Sequence, residues 1–231
     1  SIVITGTVDS VTTGSTFVVK DANAKKHTID FDYAIDTLPM FYNGAEIEFK
    51  VEEFDADEIV SKDFEKITVV GFEEEDKDNN KIDRADELIG LVVREQTAAK
   101  KIANVYKDGR TKLDGIELAV DDGDVDLDNV IVKGAVDAIE DIEKDDVVVS
   151  YLAKDKSKVE LVVSRETVEG KVTRTDATGY AYIAGTKYDI NDVSVLKNGF
   201  EVELGDKGTF FLDHNGEIVA FDGDSVVPTD Y

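Results

Sequence analysis

The sequence predicts an all-β protein: three tandem small antiparallel β-barrel or β-sandwich modules with few short helical turns. Three observations carry this prediction. Two landmarks recur three times in the same order, which indicates an internal repeat. Most segments are short runs of β-branched and aromatic residues bounded by Gly, Asp or Asn. The 231 residues, 42% of them hydrophobic, are enough for two or three small domains with buried cores.

The first landmark is a glycine inside a strand-like run, with an apolar residue two positions later. It occurs at 4–8, 89–92 and 168–172, where the glycines are Gly6, Gly90 and Gly170. We interpret these runs as the opening strands of three copies of one module.

The second landmark is a tight turn that leads into an alternating strand. It occurs at Asn43-Gly44, Asp145-Asp146 and Asn198-Gly199. Asn-Gly supplies the positive φ that a hairpin turn needs, whereas Asp-Asp is a weaker turn former.

A closing strand completes each copy. It occurs at 65–70, 159–163 and 217–221, and the turn at 213–217 precedes the third. The spacing between landmarks differs among the copies, which predicts a common core with loop insertions.

Composition places the domain boundaries. The predicted modules are 1–73, 87–165 and 166–224, with an acidic linker at 74–86 and a frayed tail at 225–231. Because no Pro or Gly run separates the second module from the third, we expect a short, stiff junction there.

The main alternative to strands is a helix across 84–105, where Leu88, Ile89, Val92 and Val93 fit a helical stripe. Strands are favoured because the repeat aligns Gly90 with the other opening glycines. Short helical turns are expected near 33–38 and 138–142.

The charge balance restricts the partners. With 52 acidic and 26 basic residues, the net charge is -26. A polyanion is repelled by nucleic acid and by anionic lipid headgroups, whereas divalent cations and basic polymers suit it. The longest apolar runs fall short of the roughly 20 residues that span a bilayer, so we expect no membrane insertion. The chain begins at Ser1, without a signal-peptide pattern, and we interpret it as a piece of a longer protein.

The stretch 75–87 resembles a calcium loop with one residue missing. Calcium loops place oxygen ligands at alternate positions, turn sharply at the sixth and end with a carboxylate. Two registers compete. One uses Asp76, Asp78, Asn80 and Glu87 as ligands but places Lys81 where glycine belongs. The other begins at Glu75, and a solvated charged linker remains an open alternative.

A second acidic run covers 121–129. If this run is extended, Asp124, Asp126 and Asp128 lie on one face of a strand. Their mutual repulsion then favours either a bound cation such as Ca²⁺ or a hydrated face, and charged strand edges also block unwanted pairing between copies.

The residues predict no catalytic role. The two histidines, His27 and His214, lie in polar, turn-like settings and are expected to be exposed. The chain has no cysteine, so a thiol nucleophile and a disulfide framework are excluded. A nucleophile elbow, a phosphate-binding glycine loop and a zinc-protease helix are all missing from the sequence. With no tryptophan, a sugar-stacking platform is not expected, and the eight tyrosines are interpreted as core or cross-strand partners.

The third copy carries a resemblance to a known family. Its run at 168–172, the segments 188–190 and 195–202, and the hairpin at 212–219 are similar in order to the repeated β-modules of Gram-positive surface-layer proteins, especially clostridial proteins with surface-layer-homology anchoring domains. The resemblance implies an extracellular location in the cell wall or surface layer, an acidic surface and calcium-dependent assembly. The helical anchoring domain itself has no match here, so wall anchoring is expected outside these residues.

Together these observations predict a non-catalytic structural component of a bacterial surface-layer lattice. Its partners would be further copies of itself or other surface proteins. Two alternatives stay open: an extracellular binding or adhesion module, which an exposed aromatic patch would favour, and an accessory domain of a surface enzyme.

Overall fold

The computed structural model describes residues 1–71, 81–82 (backbone only) and 88–224. The protein is mostly β, as the sequence predicts. The chain divides into two compact units. The first comprises Ser1–Glu95 and Ala153–Asp155, and the second comprises Gln96–Leu152 and Lys156–Tyr231. In the described part of the chain, no helix has the length and apolar character needed to cross a membrane.

The first unit is built on one eight-stranded sheet. Its strands and helix are β1 (Ile2–Val11), β2 (Thr16–Asp21), β3 (Lys26–Asp30), β4 (Thr37–Tyr42), β5 (Ala45–Lys50), α1 (Ala56–Ile59), β6 (Lys66–Gly71), β7 (Lys81–Ile82) and β8 (Leu88–Arg94). The sheet order is β5-β4-β8-β6-β1-β2-β3-β7. The hairpin β4–β5 turns at Asn43 and Gly44, both with positive φ, as predicted.

The opening glycine of the first unit has a clear structural reason. β1 pairs with β6 over Ile2–Gly6 and with β2 from Gly6 onward, so the strand changes partner at that residue. A Cβ on Gly6 would collide with the carbonyl oxygen of Lys20. Only glycine lets the two backbones approach this closely.

The second opening strand is placed differently from the prediction. β8 contains Gly90 but pairs antiparallel with β6 and parallel with β4, inside the sheet of the first unit. A Cβ on Gly90 would make only ordinary contacts at 3.8 Å or more. The alignment of Gly90 with Gly6 is therefore wrong. The strand itself is confirmed against the helical alternative.

The second unit contains two larger sheets and two small hairpins. Its elements are β9 (Ala98–Lys101), β10 (Lys112–Leu113), β11 (Ile116–Glu117), β12 (Val120–Asp121), β13 (Asp124–Val125), β14 (Val130–Gly134), β15 (Val147–Leu152), β16 (Val159–Ser164), β17 (Thr167–Thr175), β18 (Tyr180–Ile183), β19 (Thr186–Asp189), α2 (Asp192–Asn198), β20 (Lys207–Leu212) and β21 (Ile218–Gly223). The first sheet has the order β14-β16-β15-β9, with β14 and β16 parallel.

The last sheet has the order β19-β18-β17-β20-β21. A parallel bridge between Ile190 and Ile218 joins the end of β19 to β21. The helix α2 lies between β19 and β20. This helix and these strand pairings have the order found in the OB-type barrel. As in β1, β17 changes partner close to a glycine: its pairing with β20 includes Gly170 and ends at Lys171, and Val172 pairs with β18.

The third predicted tight turn is a helix end. Asn198 is the last residue of α2, and Gly199 caps the helix in the left-handed conformation. The segment after Gly199 up to Glu203 forms no strand. Asn-Gly satisfies a helix C-cap as well as a hairpin turn, so the dipeptide alone does not separate the two.

The remaining local predictions concern the short helical turns and the two histidines. One short 3₁₀ turn lies at Phe31–Tyr33 and overlaps the predicted stretch 33–38 only at its first residue. Another lies at Ile139–Asp141, inside the predicted stretch 138–142. His214 is exposed in the β20–β21 turn, as expected. The expectation of an exposed His27 is wrong: it lies on β3, is 8% exposed, and its Nε2 is 2.9 Å from Asp21 Oδ2.

Candidate functional site

The two larger sheets of the second unit share a hydrophobic core. β15 is buried along its whole length and therefore serves two cores. Val148 and Leu152 pack into the core of their own sheet, whereas the opposite face contributes to the shared core. The buried members of the shared core are Ala99, Val147, Val149, Tyr151, Val162, Phe211 and Val219. A continuous apolar run such as 147–149 is typical of a strand that is covered on both faces.

β20 divides its side chains in the same way. Phe210 is fully buried in the core of the last sheet, and Phe211, on the opposite face, is buried in the shared core. Lys101 lies over the Phe211 ring, with Nζ 4.5 Å from the centroid, and forms an ion pair of 2.6 Å with Asp222. The apolar contact is therefore covered at its edge by a cation.

A buried asparagine connects the two sheets by hydrogen bonds. Asn191 is 1% exposed, and its Nδ2 donates to Gln96 Oε1 and to Asp213 Oδ2, both at 2.8 Å. Its Oδ1 accepts the backbone N–H of Ser194 and so caps α2. Because every polar atom of this buried amide has a partner, the junction has one well-defined geometry.

Two further bonds reinforce the junction at its rim. Asn198 Nδ2 donates to the carbonyl of Ala99 at 2.8 Å. The Tyr151 hydroxyl lies 3.1 Å from Nε2 of His214, so this histidine has a structural partner.

The predicted calcium ligands fall into two groups. Asp76, Asp78, Asn80 and Glu87, together with the linker 74–86 apart from the backbone of β7, lie outside the described residues. Among the residues that the structure describes, no group of three or more His, Cys, Asp or Glu side chains is arranged to hold a metal ion.

The second acidic run does not form one extended strand. Among residues 124–129 only Asp124–Val125 is a strand (β13), and the chain then enters the 3₁₀ turn Leu127–Asn129 at Asp126. The condition for three carboxylates on one strand face is therefore not met. Asp126 instead accepts a hydrogen bond from Asn129 Nδ2 at 2.7 Å.

The acidic run forms a narrow hairpin instead. β12 and β13 pair Asp121 with Asp124 across a two-residue turn, Asp122-Gly123, in which both residues have positive φ. The carboxylates of Asp121, Asp122 and Asp124 are exposed and form no ion pair within the described ranges. We call this element the acidic hairpin.

A concave, lysine-lined pocket lies between β9, the β10–β11 hairpin and the end of α2. Its volume is about 330 Å³. The cations that line it are Lys100, Lys112 and Lys197, and the neutral polar groups include Thr97, Ser150 and Asn198. Lys100 already forms an ion pair, in which its Nζ is 3.3 Å from Asp114 Oδ2. Lys112 and Lys197 are exposed, and neither ammonium forms a hydrogen bond or ion pair with a residue that the structure describes.

The acids of this lysine pocket are already neutralised. The Lys156 ammonium, hydrogen-bonded to Glu117 at 2.8 Å, lowers the pKa of Glu117, and the positive charges of Lys112 and Lys197 act in the same direction against the opposing effect of burial. With Lys100 on Asp114 and Lys156 on Glu117, the charges of Lys112 and Lys197 are in excess. The pocket is therefore locally positive in a strongly acidic chain.

Two other surface features could hold a ligand. In the first unit, a largely apolar groove of about 400 Å³ contains Tyr42, whose hydroxyl donates to Glu95. Burial and this acceptor raise the pKa of Tyr42. On the last sheet, Tyr180 and Tyr182 lie on the outer face of β18, with ring centroids 5.9 Å apart, and the Arg174 guanidinium is 5.8 Å and 5.5 Å from them.

Comparison of the chain with models of protein families, with curated proteins and with solved structures finds no match. The site is therefore interpreted from its own geometry. Sequence reasoning missed the lysine pocket and the tyrosine face. The pocket combines residues from three separate elements. The spacing of Tyr180 and Tyr182 on one strand, with charged residues nearby, was the only local signal for the tyrosine face.

Proposed function

We propose that this chain is a non-catalytic structural component of a bacterial surface-layer lattice, located outside the cell. The observation that carries the proposal is the shared core of the second unit. Two sheets that bury Phe211 and Val149 against each other, and fix a buried Asn191 between them, resist relative movement. Resistance to movement between modules is what a structural protein of a surface lattice requires.

Recurrent topology supports the tandem-repeat part of this proposal. In the last sheet β17 pairs with β20, β20 pairs with β21, and β21 is bridged in parallel to the end of β19. The first sheet of the second unit has the same pattern: β9 pairs with β15, β15 pairs with β16, and β16 lies parallel to β14. In the first unit β1 pairs with β6, β6 pairs with β8, and the parallel bridge Ala34–Leu88 supplies the parallel contact. On this basis β9, rather than β8, opens the second copy.

The resemblance to surface-layer modules supplies the proposed location, and the charge of -26 supplies the proposed role of calcium. Exposed carboxylates such as those of the acidic hairpin repel their counterparts on another copy, and divalent ions between them would remove that repulsion. Self-association or association with other surface proteins would follow, with wall anchoring by regions outside these residues.

Light scattering and thermal melting with millimolar CaCl₂ and then with EDTA test this proposal. We expect calcium to raise the melting temperature by several degrees and to produce assemblies that EDTA disperses. Asp76→Asn/Asp78→Asn tests the predicted calcium loop and Asp121→Asn/Asp124→Asn tests the acidic hairpin, with Asp57→Asn/Glu58→Gln as the control that removes the same charge. A monodisperse monomer, indifferent to calcium at every concentration, would contradict the lattice function.

A second candidate function, an extracellular binding or adhesion module, is favoured by one observation. Tyr180, Tyr182 and Arg174 form an aromatic and cationic cluster on the outer face of β18. Tyr180→Ala/Tyr182→Ala would abolish adhesion to cell-wall material if this face binds, while the melting temperature changes little because the rings are half-exposed. Unchanged adhesion in a correctly folded variant would remove this candidate.

A further inference from the structure

We infer that the lysine pocket of one copy is an interaction surface that receives the acidic hairpin of a second copy. The inference rests on the proposed function, in which copies associate, and it names the contact. Its two halves are the ammoniums of Lys112 and Lys197, which have no ion-pair partner among the described residues, and the carboxylates of Asp121 and Asp124.

The pocket is built to accept carboxylates. Lys112 comes from β10 and Lys197 from the last turn of α2, so two separate elements bring their charges to one concavity. Both lysines line the same concavity as Glu117. A volume of about 330 Å³ falls within the range of pockets that hold ligands.

Hydrogen-bond donors other than ammonium groups are also present. Thr97 and Asn198 line the pocket, but the Thr97 hydroxyl already donates to the carbonyl of Ser150 and the Asn198 amide to the carbonyl of Ala99. The lysines therefore carry the attraction, and each presents three donors to a carboxylate oxygen.

The acidic hairpin has the complementary form. It projects Asp121 and Asp124 from a cross-strand pair held by a two-residue turn, so the separation of its carboxylates is set by backbone pairing. This preorganisation lowers the entropy cost of docking. Asp222, another exposed carboxylate of the second unit, already has a lysine partner in Lys101.

Long-range repulsion between two chains of charge -26 opposes the contact, but salt screens it. The screening length is about 8 Å at 0.15 M ionic strength and about 3 Å at 1 M. Charges in direct contact within a pocket retain more of their attraction than exposed charges at a distance. We therefore expect association to be strongest near physiological salt, weaker at low salt because of repulsion, and weaker again at 1 M.

The pocket and the acidic hairpin share no residue, so a copy that gives its hairpin to one neighbour and its pocket to another makes a head-to-tail contact. A head-to-tail contact leaves one free pocket and one free hairpin on every assembly, and growth continues beyond the dimer unless a ring closes. This is the behaviour that a lattice component needs.

The test is sedimentation velocity of the intact chain in EDTA at 0.15 M NaCl, which removes calcium bridging. Lys112→Glu/Lys197→Glu is expected to weaken association at least about tenfold, because it places like charges in the contact. Asp121→Lys/Asp124→Lys is expected to do the same, while leaving the Asp122-Gly123 turn intact. Lys107→Glu/Lys144→Glu changes the net charge equally outside the pocket and is expected to associate as the wild type does.

Charge reversal on both sides is the decisive arm. The chain that carries all four substitutions has the wild-type net charge and complementary contacts, so it is expected to recover association. An equimolar mixture of the two double variants is expected to associate as well, since each carries the complement of the other. Circular dichroism of every variant establishes that it is folded.

The outcomes separate the two proposals. If the wild type associates in EDTA and the pocket variant associates equally well, the inference is overturned and the lattice function stands. If the wild type associates only with calcium, the inference is also overturned. If the wild type stays monomeric in both conditions, the lattice function fails as well. Loss in both double variants with recovery on combination supports the inference.

Discussion

Substitution of Phe211 by alanine tests the shared core of the second unit. Phe211 is 8% exposed and packs on the face of β20 that meets β15, so its truncation removes apolar contact from both sheets. Phe→Ala in a protein core costs about 3–5 kcal/mol, through lost transfer free energy and the cavity left behind. The cation–π contact with Lys101 adds about 0.5–1 kcal/mol at a partly exposed site.

Native-state hydrogen exchange measures the effect where it is informative. We expect the opening free energy of β15, which does not contain residue 211, to fall by about 3–5 kcal/mol. Each 1.4 kcal/mol is a factor of about ten, so exchange in β15 should accelerate by about two to three and a half orders of magnitude. Cooperative units that share a core open together, which is why the loss should spread beyond β20.

Two further variants make this prediction reciprocal and controlled. Val149→Ala removes two carbons from the opposite side of the same core and should lower the opening free energy of β20 by about 2 kcal/mol. Phe54→Ala, a 38% exposed ring in the first unit, should leave both strands unchanged. Normal exchange in β15 of the Phe211→Ala protein would refute the shared core.

The remaining predictions concern one glycine pair and one carboxylate. Gly6→Ala should destabilise the first unit by several kcal/mol in chemical denaturation, because the new Cβ meets the Lys20 carbonyl. Gly90→Ala should be tolerated, since its Cβ makes only ordinary contacts. Equal losses of stability in the two variants would contradict this difference between the two glycines. Burial raises the pKa of Asp114, but hydrogen bonds from Ala103 and neighbouring donors outweigh it and hold the pKa below the usual value of about 3.9. Asp114 therefore stabilises the fold above that value, and the contribution is lost as pH falls through the lowered pKa. Asp114→Asn should flatten the acid side of a stability–pH curve, and an unchanged slope would contradict this assignment.

Local chemistry was sufficient for the all-β class and for several turns. Asn43-Gly44 predicts its hairpin because the left-handed conformation of both residues depends on the dipeptide alone. The turn between β20 and β21 follows from Asp213, whose carboxylate accepts the backbone N–H groups of Asn215 and Glu217. Such bonds span four residues or fewer and are therefore legible in sequence.

Pairing between distant strands was decided only by the tertiary structure. Gly90 has the same local pattern as Gly6, yet β8 completes the sheet of the first unit, since strand register depends on the faces that neighbouring strands offer. Asn198-Gly199 ends a helix because the seven residues after Asn191 form α2. In both cases a short motif fits two structures equally well.

The candidate site depends on the tertiary structure for the same reason. The acidic run around Asp124 is evident in the sequence, and only the fold shows it as a hairpin tip instead of one strand face. Lys112 and Lys197 are 85 positions apart, and nothing in their neighbours indicates that they line one pocket. Residue type is local information, whereas convergence of charge depends on how the chain folds back on itself.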